Sequence, residues 1–433
     1  MERIIELAKK RGCEAAEVYF SALTRTPVEY EFGRLKQVQT VENSVIAVRV
    51  IKDGKLGFAT STKQGDYEAL VDNAVATAQF GTTVEFRFAA PAALPTVNCY
   101  DRAVVDLSLE QMLAAGSEMV EAIKAYEPKI NALAQAVKVV SEVRILTSGG
   151  LDANYRRTEH ELFAGGELVE GDNFLMCYDF DGGAKLVTNS RQIAERAIER
   201  FRLARTNRPL TSGKYPVILT PVGLTQCLGP IEASISGSAV QKGFSPWKDA
   251  LGQTVAAANI TVYDDGVLDW AAATAPFDAE GTPRQKTPII DRGVLRNFLV
   301  DRRTAQALGR VPTGNAARGS DTPPSVAPTT LVMEAGDADL AAMIKGIKEG
   351  VIIDQLMGAW AGNAFSGEVS GNIALGYKVE NGEITGRVKD CMFSINLFDV
   401  LKHQVAAISK ERQYKGALLP WVLVDGAGIS TKS

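Results

Sequence analysis

Hydrophobic and polar residues alternate along the chain with two different periods, and each period predicts a different element. Residues 1–12 place apolar side chains at helical spacing, whereas residues 14–61 alternate with the two-residue period of antiparallel strands. Asp53 and Gly54 separate two alternating arms, which is the pattern of a hairpin turn. The chain is therefore predicted to begin with a helix and a run of antiparallel strands.

Two helices are predicted after this run of strands. The segment 64–80 has helical spacing, and Asp66 is placed to cap its N-terminus. In the segment 108–126, Ser108 and Gln111 have the spacing of a capping box, in which each side chain accepts a hydrogen bond from the other residue's backbone N–H group. These caps predict where the two helices begin.

The same order of elements then occurs a second time. Strand-like stretches at 136–148, 153–171 and 173–183 lead into a helical pattern at 190–204. Because helix, strands and helix appear twice in succession, we interpret the first half of the chain as an internal duplication of an α+β unit.

A polar stretch with proline and glycine, residues 205–216, predicts a boundary between domains. A chain of 433 residues is also long for one hydrophobic core, so two domains are the natural expectation. The predicted fold class is α+β. It consists of an N-terminal domain at 1–205, with duplicated helix and antiparallel-sheet units, and a β-rich domain at 215–433.

The C-terminal half is predicted to contain short strands, turns and fewer helices. We expect strands around a turn at 291–293 and a long irregular loop at 314–330. Helical patterns cover 339–350 and 397–409, and an Asn-Gly pair at 381–382 predicts another hairpin.

Composition and charge narrow the function classes. Apolar residues make up 46% of the chain and charged residues 23%, which is typical of an ordinary globular protein. The net charge is −4 and no lysine- or arginine-rich tract is present, which argues against direct contact with nucleic acid. The N-terminus lacks the apolar core of a secretory signal, and no stretch approaches a membrane-spanning length. We expect a cytoplasmic protein.

The cysteines and histidines of the sequence form no recognisable metal-binding motif. Five cysteines are scattered along the chain: Cys13, Cys99, Cys177, Cys227 and Cys391. None forms a CxxC pair, and we expect small, buried apolar side chains. The two histidines, His160 and His403, lie in no metal-binding motif, and we interpret them as one strand and one helix histidine.

The sequence gives little support for a general base, an acidic metal site, a nucleophile motif or a phosphate-binding loop. Glu232 is interpreted as a solvated helix carboxylate rather than a general base. The acidic pair in VYDDGVLDW, Asp264 and Asp265, is interpreted as part of a hairpin turn with Gly266 rather than a metal site. Neither a GxSxG nucleophile motif nor a GxxxxGK[ST] phosphate-binding loop is present.

Several segments resemble one known family. They are VEYEFGRLKQVQTVENSVIAVRVIKDGKLGFATS near the N-terminus and, in order toward the C-terminus, APFDAEGTPRQKTPIIDRGVLRNFLVDRRTAQALG, PTGNAARG, GVIIDQLMG, SGNIALGYKVENGEITGRV and VLVDGAGIS. The chain resembles the TldD/PmbA family, also called modulators of DNA gyrase or TldD-TldE metalloproteases. It is most similar to the PmbA (TldE) branch, which lacks the zinc motif.

The resemblance implies where a zinc motif would lie. In TldD-type subunits, two histidines and a glutamate of an HExxxH helix, with a C-terminal cysteine, form a catalytic zinc site. The segment TQCLGP takes that place here, with Thr225 and Pro230 at the histidine positions and Gln226 at the glutamate position. None of the three provides the ligand or base that zinc catalysis requires, and 409–421 contains no cysteine. We therefore expect no catalytic residue, metal or cofactor in this chain.

A glycine-rich stretch, 356–379, is a candidate for peptide binding. Glycine in strands allows another backbone to approach, so an extended peptide could add as a strand. The candidate residues are Gly362, Asn363, Gly367, Ser370 and Gly371, next to Trp360. The alternative is that these glycines only shape tight turns.

The resemblance favours a zinc-free subunit that pairs with a TldD-like zinc subunit and helps it to hold unfolded or extended peptides. On this hypothesis zinc is carried by the partner alone. The alternative is a homodimeric peptide-binding or scaffold protein with no role in proteolysis.

Overall fold

The structure, a computed structural model, describes residues 1–63, 65–319, 321–359 and 362–431. Helices account for 23% of the chain and strands for 42%, which confirms the predicted α+β class. Trp360, next to the candidate peptide-binding residues, lies outside the described residues.

The helices are mostly short, apart from α2, α4 and α5. Within the described residues, no helix combines the length and the apolar character needed to cross a membrane. Their bounds are α1 Glu2–Lys10, α2 Tyr67–Ala78, α3 Arg102–Asp106, α4 Leu109–Tyr126, α5 Ser190–Leu203, α6 Pro221–Thr225, α7 Gly229–Ile235, α8 Gly237–Gln241, α9 Arg302–Ala307, α10 Leu340–Lys345 and α11 Leu397–Asp399. A 3-10 turn spans Ala364–Ser366 and a π-helical turn spans Val400–Gln404.

The strands form two large sheets and one small ladder. Their bounds are β1 Ala15–Glu31, β2 Arg34–Val38, β3 Val41–Lys52, β4 Lys55–Ser61, β5 Asn131–Thr147, β6 Asp152–Glu170, β7 Asn173–Gly183, β8 Asn207–Arg208, β9 Gly213–Leu219, β10 Val262–Asp265, β11 Lys286–Asp291, β12 Val294–Leu295, β13 Ala316–Ala317, β14 Ser325–Val326, β15 Leu331–Met333, β16 Glu349–Met357, β17 Glu368–Glu380, β18 Glu383–Val388, β19 Cys391–Asn396, β20 Val405–Tyr414 and β21 Leu418–Thr431.

The first sheet contains both predicted α+β units. Its strand order is β4-β3-β1-β5-β6-β7, with β2 added to β1. The order of helix, strands and helix occurs twice, as predicted, but the two units share one continuous sheet because β1 pairs with β5 from Glu17 to Tyr30. Strand β7 forms one edge of this sheet.

The second sheet has twelve strands, in the order β12-β11-β10-β15-β21-β9-β16-β17-β18-β8, with β19 and β20 added beside this path. Strand β9 lies at its centre, parallel to β16 and antiparallel to β21. Thr220, the residue after β9, caps the N-terminus of α6. The short helices α6 to α8 follow and pack against the hydrophobic core of the C-terminal half.

The two halves share a hydrophobic core. One buried cluster joins Ile123 of α4 and Phe201 of α5 with Ile218, Leu375 and Tyr377 of the second sheet. The stretch 205–216 therefore separates the two large sheets along the chain but not in space. The division into two domains stays a prediction.

A buried ion network crosses the same junction. Arg200 of α5 donates through Nη1 to Asp179 of β7 and through Nε to Asp354 of β16, both at 2.6 Å. Lys415, in the turn between β20 and β21, donates to Asp179 at 2.6 Å. Burial raises the pKa of Asp179, but Arg200 and Lys415 outweigh it and lower the pKa from 3.8 to about 2.

The local turns and caps agree with the sequence. Asp53 and Gly54 have φ of 50° and 70°, the left-handed values of a two-residue hairpin, and Asn381 has φ of 51° in the Asn-Gly turn. Ser108 and Gln111 form the predicted capping box of α4. These predictions are confirmed because the interactions lie within a few residues of each other.

Two predicted C-terminal helices are wrong in extent. The pattern at 397–409 forms helical turns only to Gln404, because residues from Val405 onward pair with β21, where Ile408 lies opposite Val422. The pattern at 339–350 ends at Lys345, and β16 begins at Glu349. In both segments pairing with a neighbouring strand overrides the helical spacing.

Arg200→Met should lower the free energy of unfolding by about 3–5 kcal/mol, because it leaves the carboxylates of Asp179 and Asp354 buried with fewer partners. Arg191→Met on the same helix is the matched control, since Arg191 pairs with Glu195 in solvent and such pairs contribute little. Urea unfolding of both variants measures the difference. Equal stability of the two variants would show that the network does not hold the halves together.

Candidate functional site

The segment predicted to lie at the zinc-motif position begins at a capped helix end behind β16. Thr220 accepts a hydrogen bond from the N–H of Gly223 at 3.2 Å and donates its hydroxyl to Asp354 Oδ1 at 3.0 Å. A Cβ on Gly223 would lie 2.6 Å from the carbonyl oxygen of Ile353, so α6 rests directly on the strand. The position of α6 is therefore fixed by the second sheet.

Each side chain at the motif positions has a structural contact. Thr225 Oγ1 donates to the carbonyl of Pro221 at 2.8 Å, within α6. Gln226 Oε1 accepts the N–H of Leu356 at 2.7 Å, at a point where the register of β16 against β17 shifts. Pro230 is buried in the first turn of α7. These three residues stabilise helices and a strand bulge.

The donor groups in this segment do not fit a zinc ion. A hydroxyl, a carboxamide and a proline replace the imidazoles and carboxylate that such a helix would need. Cys227 is fully buried and donates its thiol to the carbonyl of Gly223, and burial raises its pKa to about 12. Across the described ranges, no three His, Cys, Asp or Glu side chains come together in a geometry that could hold a metal ion.

The helix itself is not continuous. The pattern that predicts one helix through IEASISGSA is interrupted at Ser236, which is extended with φ −67° and ψ 116°. The N–H of Gly237 donates to the carbonyl of Leu299 at 2.8 Å, and a Cβ at Gly237 would lie 2.7 Å from that oxygen. Contact with the segment before α9 therefore divides α7 from α8.

The acidic candidates lie apart from any ligand cluster. Glu232 of α7 is exposed, as predicted, although desolvation and nearby Asp264 raise its pKa. Asp264 is buried in β10, where it accepts hydrogen bonds from Asn315 Nδ2 at 2.6 Å and from the N–H of Thr329 at 2.7 Å. The predicted hairpin turn at Asp264 is wrong, because β10 continues through Asp265 and its antiparallel partner β11 begins only at Lys286. Asp264 instead anchors the loop 314–330.

The histidines are in a strand and in a helical turn, as predicted. His160 of β6 is 2% exposed, and its Nδ1 accepts the N–H of Val187 at 3.1 Å. Burial and the charge of Lys138 lower its pKa from 6.5 to about 4, so the imidazole is neutral at physiological pH. His403 is exposed in the π-helical turn.

In the candidate peptide-binding segment, the glycines approach the backbone and side chains of this chain. A Cβ on Gly362 would lie 2.4 Å from the carbonyl oxygen of Glu368, and one on Gly371 would lie 2.8 Å from that of Met357. Gly367 has φ of 82°, and a Cβ there would meet the ring of Phe398 at 2.5 Å. The tight-turn interpretation accounts for Gly367, whereas Gly371 lies within β17 and is packed against β16.

Two candidate residues lie beside these glycines. Asn363 caps the 3-10 turn through a hydrogen bond from the N–H of Phe365 at 3.1 Å. Ser370 lies opposite Ser394 in the ladder of β17 and β19 and lines a cavity of about 460 Å³ together with Glu368 and Asn396. Peptide binding at this segment stays a prediction, and Ser370 is the candidate side chain that lines this cavity.

A second cavity, which the sequence did not predict, lies behind α6. Its volume is about 370 Å³, and it is lined by Arg200, Asp354 and Tyr377 with apolar residues that include Trp421. The hydroxyl of Tyr377 is buried and has no hydrogen-bond partner among the described residues. These residues come from separate parts of the chain, and no local motif marks them.

Three models of metallopeptidase domains match this chain. Residues 212–431 match the PmbA/TldA metallopeptidase C-terminal domain, 103–203 the central domain and 16–78 domain 1. The chain belongs to the PmbA/TldD metallopeptidase family.

Relatives are similar over nearly the whole chain. An uncharacterised protein of Methanocaldococcus jannaschii is 28% identical over 99% of this chain and 100% of its own length. The metalloprotease PmbA homolog of Haemophilus influenzae is 24% identical over 98% of this chain and 94% of its own.

Solved structures show that the similarity to other proteins includes the fold. A Thermotoga maritima protein named as a modulator of a DNA gyrase has a TM-score of 0.91 at 26% identity, with 99% of each chain covered. TldE of Thermococcus kodakarensis has the same TM-score at 20% identity and the same coverage, which shows a shared fold.

Gln226→Leu should lower the free energy of unfolding by about 1–3 kcal/mol, because the N–H of Leu356 loses its acceptor. Gln226→Glu is the matched control, since it keeps an oxygen at the same distance from the backbone. Urea unfolding at neutral pH compares the two. If Gln226→Leu is as stable as the unmodified chain, the side chain is not holding the strand bulge.

Lowering the pH from about 6.5 to about 4 should remove stability contributed by His160, because the unfolded chain takes up a proton there that the folded chain does not. His160→Gln keeps an acceptor for Val187 without titrating in this range. The urea midpoint of the unmodified chain should therefore fall more across this window than that of the variant. The same fall in both proteins would contradict the buried, neutral imidazole.

Proposed function

We propose that this chain is a TldE-like subunit of a cytoplasmic peptidase system, that it binds no zinc itself, and that it pairs with a TldD-like zinc subunit. In this pairing the partner supplies the metal and the chemistry of peptide hydrolysis. The present chain supplies an interface and part of the surface that holds an unfolded or extended peptide. The observation that carries the proposal is the set of structural contacts made by Thr225, Gln226 and Pro230.

The chemistry of this segment supports a non-catalytic role. A general base near a metal-bound water must accept a proton, and the carboxamide of Gln226 does not do so at neutral pH. Its oxygen is also occupied by the N–H of Leu356. The thiol of Cys227 is buried and protonated, which removes the nearest candidate for a thiolate ligand.

The peptide-binding part of the proposal rests on the cavity beside Ser370. The cavity of about 460 Å³ is lined by the polar side chains of Glu368, Ser394 and Asn396 and lies next to the close-packed turn at 362–367. A rigid turn keeps such a recess in shape, so less ordering entropy is lost when a peptide binds. Gly362, Asn363, Gly367 and Gly371 would shape this recess, and Ser370 would contact the peptide.

Co-expression with the TldD-like subunit of the same genome tests the pairing. We expect the two chains to elute together in size-exclusion chromatography and to cleave an unfolded protein faster than either chain alone. The matched control replaces the HExxxH glutamate of the partner with glutamine, which should abolish cleavage and leave the co-elution intact. Separate elution, with a stable homodimer of this chain and no gain in cleavage, would overturn the pairing and favour a scaffold role.

A further inference from the structure

A further cavity lies between the two sheets, on the far side of β16 from the site at α6, and shares Leu356 with that site. Its volume is about 930 Å³. One wall is the edge strand β7, which presents Phe174, Met176 and Tyr178 at alternate positions. The other wall comes from β16 to β19 and the end of β21. The cavity is thus an open cleft beside an unpaired strand edge.

A buried arginine without a counter-ion lines this cleft. Arg387 of β18 is 7% exposed, and its Nη1 donates to the carbonyl of Phe174 at 2.8 Å. Its Nε is buried without a hydrogen-bond partner, and no Asp or Glu among the described residues forms an ion pair with it. Desolvation lowers the pKa of this guanidinium group, because a buried charge without an ion-pair partner is unfavourable.

The free side of this guanidinium has the geometry for one kind of ligand. With Nη1 bonded to Phe174 and Nε buried, Nη2 is the donor left for a ligand, and a carboxylate is the natural partner of a guanidinium group. Asp390 on the same wall attracts Arg387 electrostatically, but the two side chains form no ion pair among the described residues. Lys389 lies 4.0 Å from Asp390 and donates to the carbonyl of Asp172, so Asp390 has its own cation.

The rim of the cleft is apolar and exposed. Phe174 is 49% exposed, Met357 62% and Met392 44%, although large apolar side chains are usually buried. Methionine side chains adapt to apolar partners of different shape. A ligand that fits both the rim and the arginine therefore combines a carboxylate with a large apolar group.

We propose that this cleft binds the free C-terminus of an extended peptide, with the terminal carboxylate on Arg387 and a large apolar C-terminal side chain between Phe174, Met357 and Met392. The proposal deepens the peptide-binding role proposed above, on which it rests, by naming the end of the peptide that this chain recognises. It does not require the zinc subunit, and the binding assay uses this chain alone.

Fluorescence anisotropy tests the proposal with a labelled hexapeptide that ends in Ala-Leu-Phe, used as the free acid and as the C-terminal amide. We expect the acid to bind about tenfold or more tightly than the amide, because the amide lacks the charged acceptor. Arg387→Met should remove this preference. Arg303→Met, at an exposed position on α9, is the matched control and should keep it.

Two further variants keep the test independent of folding defects. Met392→Glu, on the exposed rim, should weaken binding of the acid because the new carboxylate repels it. Removing residues 432–433 should leave binding unchanged; if the acid binds only after their removal, the chain's own terminus is the occupant and the proposal is overturned.

The remaining outcomes are equally decisive. Equal affinity for acid and amide, no binding of the acid, or a preference that survives Arg387→Met would each overturn the carboxylate site. Such a result would leave the pairing with a zinc subunit untouched, because that pairing is judged by co-elution. Separate elution together with a strong acid preference would instead retain the cleft and refute the pairing.

Discussion

The position of the motif helix depends on a buried ion network at the junction of the two sheets. Asp179 of the first sheet is surrounded by Arg200, Lys415 and Arg196, and Arg200 also binds Asp354 of the second sheet. Removing one partner from such a network leaves a buried charge uncompensated, which costs more than the intact network contributes. Both halves of the chain are therefore held in one relative position.

The network continues to the segment at the zinc-motif position. Asp354 accepts the hydroxyl hydrogen of Thr220, and Thr220 caps α6. From there, Gln226 reaches back to the N–H of Leu356, two residues beyond Asp354. The segment predicted to take the place of a zinc motif is thus a pair of short helices that is hydrogen-bonded to the sheet. This arrangement suits a wall or interface role better than a site that must coordinate metal and substrate.

The sequence predicted those parts of the structure whose interactions are local. The turn at Asp53 and Gly54 and the capping box of Ser108 and Gln111 each involve residues close in the chain, so composition and spacing were sufficient. The helix predicted at 397–409 failed because β21 offers a strand partner from Val405 onward. Spacing alone does not reveal such a partner.

The same limit applies to the candidate functional site, where the sequence predicts local features but not contacts between distant segments. From the resemblance, the sequence predicted that Thr225, Gln226 and Pro230 provide no metal ligands, but the contacts of these side chains could be seen only in the fold. Gln226 and Leu356 are 130 residues apart. The cleft of Arg387 was missed because its apolar rim and its charge come from strands in both sheets, and no local pattern joins Phe174 to Arg387.

Elemental analysis of the chain purified alone, without chelators, measures whether this chain binds zinc by itself. A subunit whose motif positions hold structural hydrogen bonds should contain negligible zinc, while the zinc of a reconstituted pair should follow the partner subunit. One tightly bound zinc per chain in the isolated protein would contradict the account. It would show that this chain has a metal site of its own.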